Sequence, residues 1–252
     1  MAADEYEEAA ARAEAMLPPA RRTVEPPSAD VWLARTFATS AAVLHGRRDG
    51  VLPELDSYIA ELTQTDGVDR TVLLVLRINR ATVLTDQERF AEAEAEALGI
   101  LREVTRLAHL TQVGDIELSA VACLADSLCG QARHEEAEAV ARGNLPRATG
   151  NRAASLRRLL VRSLNGQGRY EEALSEAGRP TPAASRAGAG QLGMVTARAL
   201  QGLGRGGEAE AAARQARDDC ERSLHPTHPR IAQARRLLAE ITDEEPPAED
   251  SA

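Results

Sequence analysis

Four copies of one short phrase restrict what this chain can fold into more than any other feature. Arg89-Phe90-Ala91-Glu92-Ala93 returns as Arg133-His134-Glu135-Glu136-Ala137, as Arg169-Tyr170-Glu171-Glu172-Ala173 and as Arg205-Gly206-Gly207-Glu208-Ala209. The last three begin 36 residues apart (133, 169, 205), and a leucine stands five residues before each arginine: Leu84, Leu128, Leu164 and Leu200. Repetition at such a period belongs to stacked helical hairpins, each too small to bury its own apolar face. An architecture of that kind points to binding rather than to chemistry.

Composition narrows the reading. Aromatics make up 2% of the 252 residues, so the apolar 43% is mostly alanine, leucine and valine, which suits closely packed helices better than sheets. The formal net charge of -9 repels nucleic acid and acidic membranes. All 30 basic residues are arginine, a bias of very GC-rich coding sequence, as in actinobacteria. Cys123, Cys129 and Cys220 lack CxxC spacing, which predicts free thiols in a reducing compartment and no zinc site. Neither a leader pattern nor a run of about 18 apolar residues is present, so the expected location is cytoplasmic.

Along the chain, residues 1–29 read as a polar helix over 3–16 and a stiff connector built on Pro18, Pro19, Pro26 and Pro27. A helix capped by Asp30 runs to about Leu44 and ends at Gly46–Gly50; a second spans 52–64 with Pro53 in its first turn. Hairpins then pair 68–84 with 88–109, 115–129 with 134–142, 151–165 with 170–177 and 191–203 with 207–223. The stretch 178–190 reads as a loop, 230–242 as a last helix, and 243–252 as a disordered acidic tail.

Each repeat also has a small residue three before the leucine (Ala81, Ala125, Val161, Ala197) and an alanine four after the arginine (Ala93, Ala137, Ala173, Ala209). Small residues there let two antiparallel helices approach closely. This pattern resembles the tetratricopeptide repeat, best over 159–173; Leu224–Leu238, with its Pro226-Thr227-His228-Pro229 turn, resembles the longer repeats of the kinesin-light-chain type. The resemblance covers residues 30–242. It implies an all-α, right-handed α-α superhelix of about five helical hairpins plus a C-terminal capping helix. Two departures stand out: His134 and Gly206 replace the aromatic, and the first spacing (89 to 133) is 44 residues.

Motifs with chemical connotations read as structure. Gly188-Ala189-Gly190-Gln191-Leu192-Gly193 is a literal GxGxxG, but Pro180 and Pro182 precede it where a dinucleotide site needs a strand. His225 and His228 belong to the proline turn. His45, His109 and His134 have no visible Ser or Cys partner. The alternating Glu92, Glu94 and Glu96 read as a solvated helix face. No catalytic residue, metal or cofactor is expected.

In the resembled family the first helices of the hairpins line a concave groove. Carried over position by position, the resemblance implies groove residues Ile78, Thr82 and Thr85, then Ala122, Asp126 and Cys129. Arg158, Arg162 and Asn165 follow, then Met194, Arg198 and Gln201. Arg158 and Arg162 share a helix face at i,i+4, and Arg162 and Arg198 are equivalent in consecutive repeats, so the two could converge on one anion. The family's lysine-based carboxylate clamp is not carried over, because the chain has no lysine. The expectation is a non-enzymatic scaffold that binds a protein or peptide, with an acidic group or C-terminal carboxylate as the fitting ligand. The alternative is a sensor of a small peptide or metabolite that acts through a partner protein.

Overall fold

The computed structural model describes residues 29–44, 50–65, 70–107, 113–180 and 188–242. Expectations for the helix over 3–16, the proline connector, His45, His109 and the 243–252 tail fall outside them, as do the side chains of Asp30 and Leu44. Among the described residues the regular structure is helical and no strand is present. Eleven α-helices follow in order: α1 Ala29–Leu44, α2 Val51–Thr63, α3 Arg70–Asp86, α4 Phe90–Leu107, α5 Gly114–Gly130, α6 His134–Asn144, α7 Gly150–Gly166, α8 Tyr170–Ala177, α9 Gln191–Gly202, α10 Gly206–Ser223 and α11 Pro229–Thr242. A 3-10 turn, Leu145–Arg147, follows α6. The chain forms two compact units, divided in sequence between Gly130 and Gln131. The hairpin expected over 115–142 is therefore shared out, α5 to the first unit and α6 to the second.

Each phrase is a turn written in residues. Where α3 ends, Glu88 takes a left-handed φ of 60°. The Arg89 N–H donates to the Leu84 carbonyl at 2.9 Å, and the Glu88 N–H to the Thr85 carbonyl at 3.0 Å. That is the paired 6→1 and 5→2 closure of a Schellman motif, and it explains the leucine five residues before the arginine. The same pair closes α7 (Arg169 to Leu164, Gly168 to Asn165) and α9 (Arg205 to Leu200, Gly204 to Gln201). The arginine then opens the next helix. Its carbonyl accepts from the N–H of the phrase's alanine at 2.9–3.1 Å in all four copies. Its guanidinium grips the glutamate three residues on through two bonds of 2.6–2.8 Å.

These arginines hold Glu92, Glu136, Glu172 and Glu208 below the ordinary carboxylate range. A depressed carboxylate favours the fold above its unfolded pKa, and that contribution disappears as pH falls through the folded value. The pairs are solvent-exposed, so they set turn geometry more than stability.

The left-handed position is glycine at 168 and 204 but Glu88 and Ala132 in the other two copies, the latter with φ 59°. A side chain at such a φ costs about 1–2 kcal/mol, of which glycine's extra chain entropy returns part. Ala132 is exposed and loses no packing on truncation. Ala132→Gly should therefore raise the unfolding free energy by about 0.5–1 kcal/mol. Urea denaturation checks this, and a destabilised variant would refute the turn assignment.

The small positions make the interhelical contacts. Ala81, Ala125, Val161, Ala197, Ala93, Ala137, Ala173 and Ala209 are all fully buried. The ring at the second position of the phrase, present in three copies as Phe90, His134 and Tyr170, has a partner in the following hairpin. A Cβ placed on Gly130 would sit 2.4 Å from the Phe90 ring; the equivalent at Gly166 would meet His134 at 2.3 Å, and at Gly202 Tyr170 at 2.4 Å. The departure at Gly206 fits this rule, because α11 contains no glycine for an aromatic to cover. The long first spacing is also accounted for. α4 has 18 residues where α6 has 11.

Within each unit, helices pack in neighbouring pairs, and first helices also touch first helices. In the first unit α3 packs on α4 and on both α1 and α5; in the second, α9 packs on α10 and on both α7 and α11. The opening hairpin is looser, since α1 rests on α3 more than on α2. Trp32, Leu55, Leu76 and Leu84 build the core there.

Candidate binding face

In the second unit the first helices α7, α9 and α11 touch in sequence and form a layer, with α11 packing chiefly on α10. Arg158, Arg162 and Asn165 lie on α7 at i, i+4 and i+7; Met194, Arg198 and Gln201 repeat that spacing on α9. Three of the six, Asn165, Met194 and Arg198, are used in joining the layer. The Asn165 amide donates to the Val195 carbonyl of α9 at 2.7 Å, which leaves its own Oδ1 as a buried acceptor with no partner among the described residues. Met194 is half-buried and packs against the clusters that contain Leu237, Ile231 and Ala234 of α11, so its side chain takes part in helix packing.

Arg198 donates to Gln201 Oε1 at 3.2 Å, and its other terminal nitrogen holds the Glu240 carboxylate of α11. The expected pairing of Arg198 with an anion is thus met inside the chain. Arg158 and Arg162 have interactions of their own. In the first unit, Ile78 packs against the Leu74–Ile100 cluster. The Thr82 hydroxyl donates to the Ile78 carbonyl and stands 3.8 Å from Cys123 Sγ on α5. Asp126 lies one turn further along α5, half-buried and engaged.

Charge separates the first helices of the second unit from the second helices. α7 carries four arginines and no carboxylate. α9 carries one arginine and none, and α11 three against Glu240. The second helices are acidic: α6 has three carboxylates to one arginine, α8 three to none, α10 five to three. Some first-helix arginines turn back onto those carboxylates, Arg157 to Glu176 and Arg235 to Glu221. Arg198 and Arg236 stay exposed on the layer. In a chain of net charge -9, these three helices are a local reversal of sign.

The glutamate run needs correction. Glu92 pairs with Arg89, but Glu96 is only 15% exposed and is clamped by two arginines of α3, Arg77 Nε at 2.5 Å and Arg80 Nη1 at 3.1 Å. Gly99, one turn on, leaves room for the Arg77 guanidinium. The alternating pattern suggested solvent, but α4 turns this one carboxylate toward α3.

The GxGxxG glycines serve packing. Gly190 precedes α9 with φ 70°, and a Cβ there would sit 2.5 Å from the Ala216 carbonyl oxygen. Gly193 lets α9 approach Ala216 of α10. Residues 181–187 before it lie outside the described chain. Both proline-turn histidines act locally: His225 Nδ1 meets the Thr227 hydroxyl at 2.8 Å, and His228 Nδ1 accepts the Arg230 N–H at 3.1 Å to cap α11. All three cysteines are free, and burial pushes the Cys220 thiol up.

Comparison with protein-family models, curated proteins and solved structures found no match. Among the described residues no helix is long and apolar enough to cross a membrane.

Proposed function

We propose that this chain is a non-enzymatic binding protein of the tetratricopeptide type, a right-handed superhelical scaffold that receives an acidic segment of a partner protein or peptide. The observation that carries the reading is the charge separation of the second unit, where the layered first helices α7, α9 and α11 are basic against acidic α6, α8 and α10. Arginine forks suit carboxylates, and the Arg198–Glu240 pair is an internal example of that recognition. The repeat phrase supports the family reading because its residues form the turns between hairpin helices. Shape and apolar contact would supply much of the affinity and the arginines the orientation.

The test is fluorescence anisotropy with labelled deca-glutamate and, as control, deca-lysine. Deca-glutamate should bind and deca-lysine should not. The Arg162→Ala, Arg198→Ala double variant should lose about ten- to a hundred-fold in affinity, corresponding to one or two charge-assisted bonds. The Arg198→Ala substitution by itself should change the melting temperature little, since the Arg198–Glu240 pair is about half exposed and worth at most ~1 kcal/mol. Equal affinity of the double variant and the unaltered chain would overturn the proposal.

A further inference from the structure

The residues that follow α11 are chemically matched to the face that α11 helps to form. Residues 243–252 read Asp-Glu-Glu-Pro-Pro-Ala-Glu-Asp-Ser-Ala, with five carboxylates (Asp243, Glu244, Glu245, Glu249, Asp250) and no base. The point of departure is informative. Thr242 lies two residues beyond Glu240, whose carboxylate is already on Arg198 of α9. One turn earlier on the same face of α11, Arg236 is exposed and has no ion pair among the described residues. An acidic segment therefore starts beside one arginine that already holds a carboxylate and another that holds none.

Reach is adequate. Ten residues extend up to about 33–36 Å. Packed helices lie about 8–10 Å apart, which puts α7 roughly 20 Å from α11 with α9 between them. Attachment also raises the local concentration of those carboxylates to about the millimolar range. Pro246 and Pro247 disfavour helix at the residues that precede them, so the segment would meet the face in an extended form.

We propose that residues 243–252 are a built-in competitor for this face: their carboxylates engage arginines of α7, α9 and α11 until an acidic partner displaces them. The proposal rests on the reading of the first-helix layer as an acid-binding site and adds its regulation. The site would then favour partners that present several carboxylates in an extended segment, since a single carboxylate would not outcompete an attached run of five.

The experiment compares two full-length chains, the unaltered protein and the variant Asp243→Asn, Glu244→Gln, Glu245→Gln, Glu249→Gln, Asp250→Asn, by anisotropy of labelled deca-glutamate. The neutralised chain should bind about ten-fold more tightly. That gain should shrink with added sodium chloride and vanish when Arg162→Ala and Arg198→Ala are added. Equal affinity of the two chains, with both weakened by the arginine substitutions, would overturn the competitor and leave the acid-binding face standing. A gain that persists in the arginine-substituted background would mean long-range charge alone and would also overturn it. Absence of deca-glutamate binding to either chain would overturn both the competitor and the face.

Discussion

Leu164→Ala should lower the unfolding free energy by about 2–5 kcal/mol, the range for truncating a fully buried leucine. Leu164 has no exposed surface and lies in α7 with Leu156, Leu159, Leu160 and Val161, all buried. The helix is held on several sides, by α6, α8 and α9, so the cavity has little room to collapse. Its carbonyl also closes the turn by accepting the Arg169 N–H at 2.9 Å. That bond belongs to the backbone and survives the substitution, so the loss measures packing alone. Thermal melting followed by circular dichroism should move down by on the order of 10 °C. A shift within about 2 °C would mean that Leu164 does not sit in the core of the second unit.

Trp32→Ala should cost the first unit about 3–5 kcal/mol. Trp32 is completely buried, packs edge-on to Tyr58 with ring centroids 6.2 Å apart, and has the Arg35 guanidinium 4.8 Å from its ring centroid. Arg35 sits 4.8 Å from the Tyr58 ring as well and bonds Glu61 at 3.0 Å, so the tryptophan anchors contacts between α1 and α2. The indole Nε1 is buried without a hydrogen-bond partner among the described residues. Trp32→Phe removes that unsatisfied donor while keeping most of the ring, and its loss should be much smaller than that of the alanine variant. Urea denaturation of both variants by circular dichroism is the check. Equal losses for phenylalanine and alanine would contradict the packing assigned to the ring.

How far the sequence reaches can be followed residue by residue. The helix boundaries were legible because the phrase contains its own stop and start. Leu164, Gly168 and Arg169 close α7, and Arg169 with Glu172 opens α8, so the expected 151–165 and 170–177 match Gly150–Gly166 and Tyr170–Ala177. The opening hairpin, which lacks the phrase, was still bounded by Gly50 and Pro53, but its preference for packing α1 on α3 left no local mark. Nor does anything in the phrase at 133 mark the division between Gly130 and Gln131. Missed side-chain partners share one physical reason. Glu96 reaches Arg77 and Arg80, and Arg198 reaches Glu240, across separations of 16 to 42 residues. Such pairs depend on the rotation of one helix against another, which periodicity within a single helix does not fix. For Glu240 the signal is weaker still, because α11 lies beyond the last phrase and its register cannot be read by counting back from an arginine. Met194 shows the same limit in reverse: its position matches Arg158, yet α11 turns that position into a packing seam.

The central proposal separates the arginines of the phrase, which build turns, from Arg162 and Arg198 of the first helices, which we propose receive an acidic ligand. Its most direct test is a nitrogen–proton NMR titration of the arginine Nε–Hε groups with deca-glutamate. Arg89, Arg133, Arg169 and Arg205 are each locked in a two-bond pair with their own glutamate and should not shift. Arg162 and Arg198 should shift together and saturate at one ligand concentration. Shifts confined to the four phrase arginines, or spread evenly over all arginines without saturation, would contradict the account.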